Sequence, residues 1–382
     1  MKTSAKSDRT LDYLFAIVIG SDFLFLHTII SQIALVIFAA YVIFRYHKPC
    51  MTAYFLLSYA AFAVWSSFII IEGAALDISI AGKMTLTLWI NVVFLYALAI
   101  YCDHLKGLDE ILNVFNKTAI VCCIIILILG LSVSLAGNRL DDVMGQNSNV
   151  IGRLAAYAAT VQIYFIKSKT NKNFLILLLY FTVILLSGSR SAFLIPLLAF
   201  FVLLVSSNPK KIVWYSFLSI IVAYLAFQLV LNIDVLYNLI GNRLEALLDI
   251  FKTGDSDEGS YMTRTAFLAL GWEESWNSPI FGHGIDCFRT LKGAYDTYSH
   301  CNYIELLFGT GWVGLLIYYS TIIFVIFKAP SAIKINKAAV VAFALIIPYT
   351  ILDYQNVTYF ERGSIFIPAV CIWSIINQTR FL

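Results

Sequence analysis

Two apolar runs, Phe174-Leu-Ile-Leu-Leu-Leu-Tyr-Phe-Thr-Val-Ile-Leu-Leu-Ser187 and Ser191-Ala-Phe-Leu-Ile-Pro-Leu-Leu-Ala-Phe-Phe-Val-Leu-Leu-Val-Ser-Ser207, are separated only by Gly188-Ser-Arg190. Neither run alternates apolar with polar residues, so a membrane β-barrel, with its ten-residue alternating strands, does not fit. Unbroken apolar blocks that must satisfy their own backbone in hydrocarbon form helices. Two such helices joined by a link this short are antiparallel neighbours, and the Arg190 guanidinium must stay near the membrane surface or face a cavity, because charge is costly at the bilayer centre.

The same pattern repeats outward from this pair. Apolar runs lie at 11–27, 29–45, 53–71, 81–102, 118–136 and 150–166 before it, and at 212–231, 303–327, 338–352 and 364–376 after it. A bilayer core takes about 20 apolar residues per helix, so the expectation is an all-α integral membrane protein of about 12 spans. Asp22 interrupts the first run and no small-residue cleavage site follows, which argues against a signal peptide. Composition agrees: of the 382 residues 60% are hydrophobic and only 13% charged, with a mean hydropathy of +0.83, against roughly 25% charged in soluble domains. The expected organisation is a first block, 1–231, of nine spans; a large non-cytoplasmic loop, 232–302; and a last block, 303–382, of three spans.

Lysine sets the orientation, since short cytoplasmic connections accumulate positive charge. Lys2, Lys6, Lys48, Lys106, Lys117, Lys167, Lys169, Lys172, Lys210, Lys211, Lys328, Lys334 and Lys337 fall at the amino terminus and in every alternate connection. Both termini are therefore expected inside. Arginine behaves differently: seven of ten, Arg139, Arg153, Arg190, Arg243, Arg264, Arg289 and Arg362, fall on the opposite, outer side, with only Lys83, Lys252 and Lys292 beside them. Arginine offers a permanently charged planar fork that matches pairs of phosphate or carboxylate oxygens. The set reads as an anion site, most naturally for phosphate. Its ordinary alternative is pairing with acids such as Asp141, Asp142, Glu245 and Asp249, or with lipid headgroups. The small net charge of +3, dispersed between apolar runs, gives no footprint for nucleic acid.

Other chemistry is sparse. The seven cysteines form no CxxC pair and no zinc spacing, although Cys287 and Cys301 share one polar loop where a disulfide could form. No HExxH, GxSxG, P-loop or acidic metal cluster is present. Gly309-x-Gly311-x-x-Gly314 has dinucleotide-fingerprint spacing, but it lies within an apolar run with no strand before it, so close helix packing is the better reading. The 232–302 segment opens with an amphipathic stretch to Phe251, continues through a helix-like Tyr261–Trp276 bearing Arg264, and passes a Gly282-His-Gly turn. It ends in Ser299-His-Cys-Asn302, which places His300 at the mouth of the next helix, while His283 reads as a turn residue.

These residues carry a resemblance. Leu185-Leu-Ser-Gly-Ser-Arg190-Ser-Ala192 resembles the arginine motif of the O-antigen ligase and polymerase superfamily. Arg264, followed by Trp272, Pro279 and Phe281-Gly-His-Gly-Ile285, is similar to that family's outer-loop arginine segment. Tyr298-Ser-His-Cys-Asn-Tyr-Ile-Glu-Leu-Leu-Phe-Gly-Thr-Gly-Trp-Val-Gly314 resembles its histidine–asparagine signature before a glycine-bearing helix. Arg139 with Gly145-Gln-Asn-Ser-Asn149, and Lys83 on an early helix, complete a likeness that spans residues 80–320 in order. Two departures stand out: Cys301 separates His300 from Asn302, which the family often has adjacent, and Ser148 replaces a common proline between two asparagines.

The resemblance implies a GT-C-like, metal-independent, inverting glycosyltransferase that needs no cofactor. It implies an undecaprenyl-diphosphate-linked glycan as donor, at the outer face of a bacterial cytoplasmic membrane. Arg190 and Arg264 would hold the departing diphosphate and His300 would handle the acceptor hydroxyl. Lys83, Arg139, Asn149, Arg243 and Asn302 would complete the substrate contacts. Partners implied are the lipid-linked donor and acceptor, the bilayer and a chain-length regulator in the same membrane, with no nucleic acid. The Asn302-Tyr-Ile-Glu-Leu-Leu307 context looks more like a repeat-unit polymerase, with a ligase to lipid A core as the alternative. A flippase of lipid-linked oligosaccharide is the competing class, but transporters favour midplane charges and repeated halves.

Overall fold

A computed structural model of the chain describes residues 9–25, 28–46, 54–104, 107–135, 147–166, 171–207, 209–232, 237, 259–336 and 339–379. No strand occurs among them. The helices are α1 (Arg9–Phe25), α2 (Ile29–Arg45), α3 (Tyr54–Ile71), α4 (Ile78–His104), α5 (Leu108–Leu135), α6 (Ser148–Phe165) and α7 (Asn171–Leu186). Then follow α8 (Arg190–Ser207), α9 (Ile212–Asn232), α10 (Gly259–Ser275), α11 (Asn302–Ile335), α12 (Ala339–Leu352) and α13 (Arg362–Thr379). Most of the expected amphipathic stretch 232–251 lies outside the described residues, as do Arg139 and Arg243.

Among the described residues, four helices are long and apolar enough to cross a membrane: α3, α4, residues Leu108–Gly130 of α5, and α11. Five further apolar helices are shorter, down to the 14 residues of α12, which at 1.5 Å per residue covers about 21 Å of a roughly 30 Å core. The surface confirms the solvent. Ile33, Val36, Ile37 and Phe44 on α2, and Val121, Ile124 and Ile128 on α5, are exposed in rows, an arrangement that water would not tolerate but lipid does. The chain is an all-α membrane protein.

Helix α6 occupies the centre. It is buried on every face from Val150 to Gln162 and packs against α7 and α8. Its Gly152 and its four alanines, 155, 156, 158 and 159, explain how, because small residues let helices approach closely where no hydrophobic force drives them together. A Cβ on Gly152 would overlap Ser187 Oγ and press on Ala192, so the start of α6 lies against the Ser187–Ser191 link that carries Arg190. At the same end Arg362 opens α13 and donates to both Asp22 carboxylate oxygens, to Gln32 and to Ser31, tying α13 to α1 and α2.

The run expected as one continuous tenth span is broken. Gly311 has φ 66° and ψ −176°, a conformation that needs glycine. Asn302 Nδ2 donates to Tyr319 Oη at 2.8 Å although the two are 17 residues apart, about 25 Å along a straight helix. The Tyr303 and Tyr319 rings also stack, with centroids 4.8 Å apart. Residues 302–310 therefore fold back against 312–335. The glycines of the 309–314 run make this reversal: a side chain on Gly311 would strike the Ile280 carbonyl, and one on Gly309 would press on Gly284 and Ile285. Close backbone packing, not nucleotide binding, is their use.

Candidate active site

His300 stands just before the Cys301 N-cap of α11, and the fold-back packs this helix mouth against α10 and the α12–α13 link. Among the described residues, every non-glycine with positive φ lies in one loop: Asp286, Tyr295, Asp296 and His300. Strained backbone of this kind costs roughly 1 kcal/mol or more per residue and persists only when neighbours over-determine it. For His300, at φ 59°, they do. Before it, Ser299 N donates to Glu305 Oε2 at 2.8 Å and Ser299 Oγ to the Cys301 carbonyl at 3.0 Å. After it, Asn302 N donates to the Asp353 carbonyl at 2.7 Å. The imidazole stands parallel to Phe267 of α10 with centroids 6.1 Å apart, and against Tyr298 at 4.4 Å.

Burial, reinforced by the neighbouring Arg264 guanidinium, pushes the His300 imidazole down to about 4. At neutral pH it is an uncharged base beside a fixed cation. Tyr298 gathers the rest of the site. Its hydroxyl is raised above the ordinary phenol range by burial and by Glu361, opposed by Arg153 and Arg264, and it is hydrogen-bonded to the Asn147 side chain. Asn147 caps α6 by accepting from Asn149 N at 2.9 Å. The start of α6, and with it the adjoining Arg190 link, thus faces the Tyr298–His300 segment and Arg264. The Arg190 side chain itself is not among those described.

Two sequence expectations look different in three dimensions. Asn302, expected at the substrate, has its amide fully engaged within the protein: Nδ2 donates to Tyr319 Oη and Asp353 Oδ2, and Oδ1 accepts from the Thr358 and Tyr359 amides. It holds the link between α12 and α13 under the histidine. Lys83 is exposed on the first turns of α4. Ala81 packs with Phe267 in the cluster behind His300, and two residues further on Lys83 is about 200° round the helix from it, so the structure does not bring Lys83 to His300.

The arginines expected on the outer side also separate. Arg153 pairs with Glu361, which also accepts from Ser364 Oγ, while Arg362 pairs with Asp22 and Arg289 with Asp286. For these three, acid pairing replaces the expected common anion site, through acids other than those foreseen. Neither Glu361 nor Tyr298 stands out in the sequence as a site residue. The one signal is an acidic residue next to Arg362 at the start of an apolar run. His283 keeps its expected turn role, between glycines at φ 72° and 94°, with Nε2 3.0 Å from the Glu274 carbonyl and its own carbonyl accepting from Leu76 N. Cys287 and Cys301 are separate buried thiols, not a disulfide. No group of three His, Cys, Asp or Glu side chains among the described residues is placed to share a metal ion.

No curated protein matches the chain. Residues 175–319, from α7 into α11, match the family model described as O-Antigen ligase. That stretch holds Arg190, Arg264, His300 and Asn302, and the match is consistent with the O-antigen ligase/polymerase superfamily.

Proposed function

We propose that this protein transfers a glycan from a lipid diphosphate to an acceptor hydroxyl at the outer face of the bacterial cytoplasmic membrane, and that it does so as a repeat-unit polymerase. The observation that carries the reading is His300: a neutral imidazole in a strained, braced conformation beside Arg264. His300 takes the acceptor proton as the hydroxyl oxygen bonds to the anomeric carbon of the donor. The bond from that carbon to the diphosphate oxygen breaks, and the electron pair leaves with the diphosphate. Arg264 and Arg190 meet that developing charge, the largest demand the reaction makes of the protein. One displacement inverts the anomeric centre. Fixed guanidinium groups can do this without a divalent ion, so activity should survive EDTA.

The acceptor distinguishes polymerase from ligase. The Asn302–Leu307 sequence favours a second lipid-linked repeat unit, and the undecaprenyl diphosphate carrier follows from the same family likeness. Electrophoresis of surface glycan from a deletion strain decides: a single repeat unit on lipid A means polymerase, and accumulated lipid-linked polymer means ligase.

A further inference from the structure

Glu305 lies one turn into the folded-back arm and is 1% exposed. One oxygen, Oε2, accepts from Ser299 N, the amide that precedes His300. The other, Oε1, is buried and has no hydrogen-bond partner among the described residues, and the same is true of Arg289 Nε and Tyr359 Oη. These atoms belong to one neighbourhood: Glu305 interacts electrostatically with Asp286 and Arg289, and Tyr359 with Asp286, Glu305 and Arg289. Arg289 Nη2 is also bonded to Asp286 Oδ1 at 2.8 Å. Buried polar atoms left unpaired cost about 1–3 kcal/mol each, so three in one neighbourhood call for a ligand. One acceptor and two donors match a single water, which can accept from Arg289 and Tyr359 and donate to Glu305. The two carboxylates disfavour an anion there, and the guanidinium disfavours a cation.

We propose that Glu305 is a positioning residue for His300, pinning the Ser299 amide with one carboxylate oxygen while Arg289 and Tyr359 fix the other through a shared buried water. A carboxylate is the strongest acceptor the chain can offer a backbone amide, and the left-handed His300 needs such a brace. Glutamine can still accept from Ser299, but it then turns an amino group toward the Arg289 and Tyr359 donors. The proposal takes from the preceding section only that His300 is the reactive residue.

The test is carbethoxylation of the purified full-length chain with diethyl pyrocarbonate, followed by mass spectrometry, with His104 and His283 as internal references. Glu305→Gln should speed labelling of His300 about tenfold at pH 7, the loss of one charge-assisted hydrogen bond. It should also move the pH midpoint of labelling up from about 4 toward the ordinary histidine value, with His104 and His283 unchanged. Tyr359→Phe, which removes one hydroxyl, should act in the same direction by a few-fold. Unchanged His300 labelling in Glu305→Gln overturns the proposal. Should that variant not accumulate, the decision passes to Tyr359→Phe: a rise confined to His300 supports the proposal, and no rise or a uniform rise overturns it. Because labelling needs no glycosyl transfer, a negative result leaves the transferase reading standing. Loss of transfer with the labelling shift intact likewise leaves the positioning role standing.

Discussion

Arg362 and Arg264 are both arginines expected from the sequence on the outer side, yet their surroundings differ in kind. Arg362 is 4% exposed and donates through Nε, Nη1 and Nη2 to Asp22, Ser31 and Gln32. Arg264 is half-buried and raises the potential at a neutral histidine set between two aromatic rings. A guanidinium clamped on a buried carboxylate is part of the frame. A cation beside an uncharged base favours an incoming anion. On the proposed function, what the guanidinium faces, not its position along the chain, separates an arginine of the frame from one that meets substrate.

The comparison breaks most sharply at the frame. Arg362→Met should leave the Asp22 carboxylate buried and unpaired, at a cost of about 3–5 kcal/mol. Accumulation and thermal stability in detergent should fall. The double change with Asp22→Leu should recover most of the loss. If Arg362→Met is as stable as the parent, the pair is not what ties α1 and α2 to α13.

At the site the balance should reverse. Arg264→Lys and Arg190→Lys should accumulate normally but lose about 10²–10³ in rate, roughly 3–4 kcal/mol of transition-state stabilisation, because a point charge cannot reproduce the fork. His300→Ala should fail with them. Transfer assays on membranes holding equal protein measure this, and an active lysine variant at both positions would reduce the site to a general electropositive surface.

His283→Ala is the milder counterpart within the same loop. It removes the Nε2 contact to the Glu274 carbonyl and the ring contact to Phe308. The expected cost is about 1 kcal/mol of stability with most activity kept. A loss of activity matching that of His300→Ala would give the turn histidine a chemical role.

The smallest effect is a displaced pH limb. The base form of His300 persists down to about pH 4 rather than to the ordinary value near 6.5. The rate should therefore stay level as pH falls from 8 to about 5 and drop only through about 4. Stability runs with the same sign: the unfolded chain protonates His300 first, so the fold weakens progressively as pH falls from 6.5 toward 4. An acid limb at 6.5 would mean that His300 is solvated and not held against Arg264.

Much of this is legible in the sequence, for identifiable reasons. Arg264, His300 and Asn302 stand out because each is embedded in a local signature, and the turn at His283 because two glycines flank it. The signature at Asn302 marks the residue but not its role, since the four bonds that use up its amide come from Tyr319, Asp353, Thr358 and Tyr359. Gly311 reads as one more residue of an apolar run, since hydropathy carries no sign of φ. Tyr298 lies inside the histidine signature without a role of its own and Glu361 escapes notice, because neither residue type is unusual at such a place.

By itself, the sequence determined that this is a helical membrane protein and which stretches of it carry arginine without lysine. Both follow from local properties: a bilayer has no water to satisfy backbone groups, so each apolar run must pair its own, and charge bias is read loop by loop. Only the tertiary structure decided which arginines are taken up by the frame. Arg153 meets an acid 208 residues away and Arg362 one 340 residues away. Partners that distant are chosen by how the helices pack, and packing is set by all of them together.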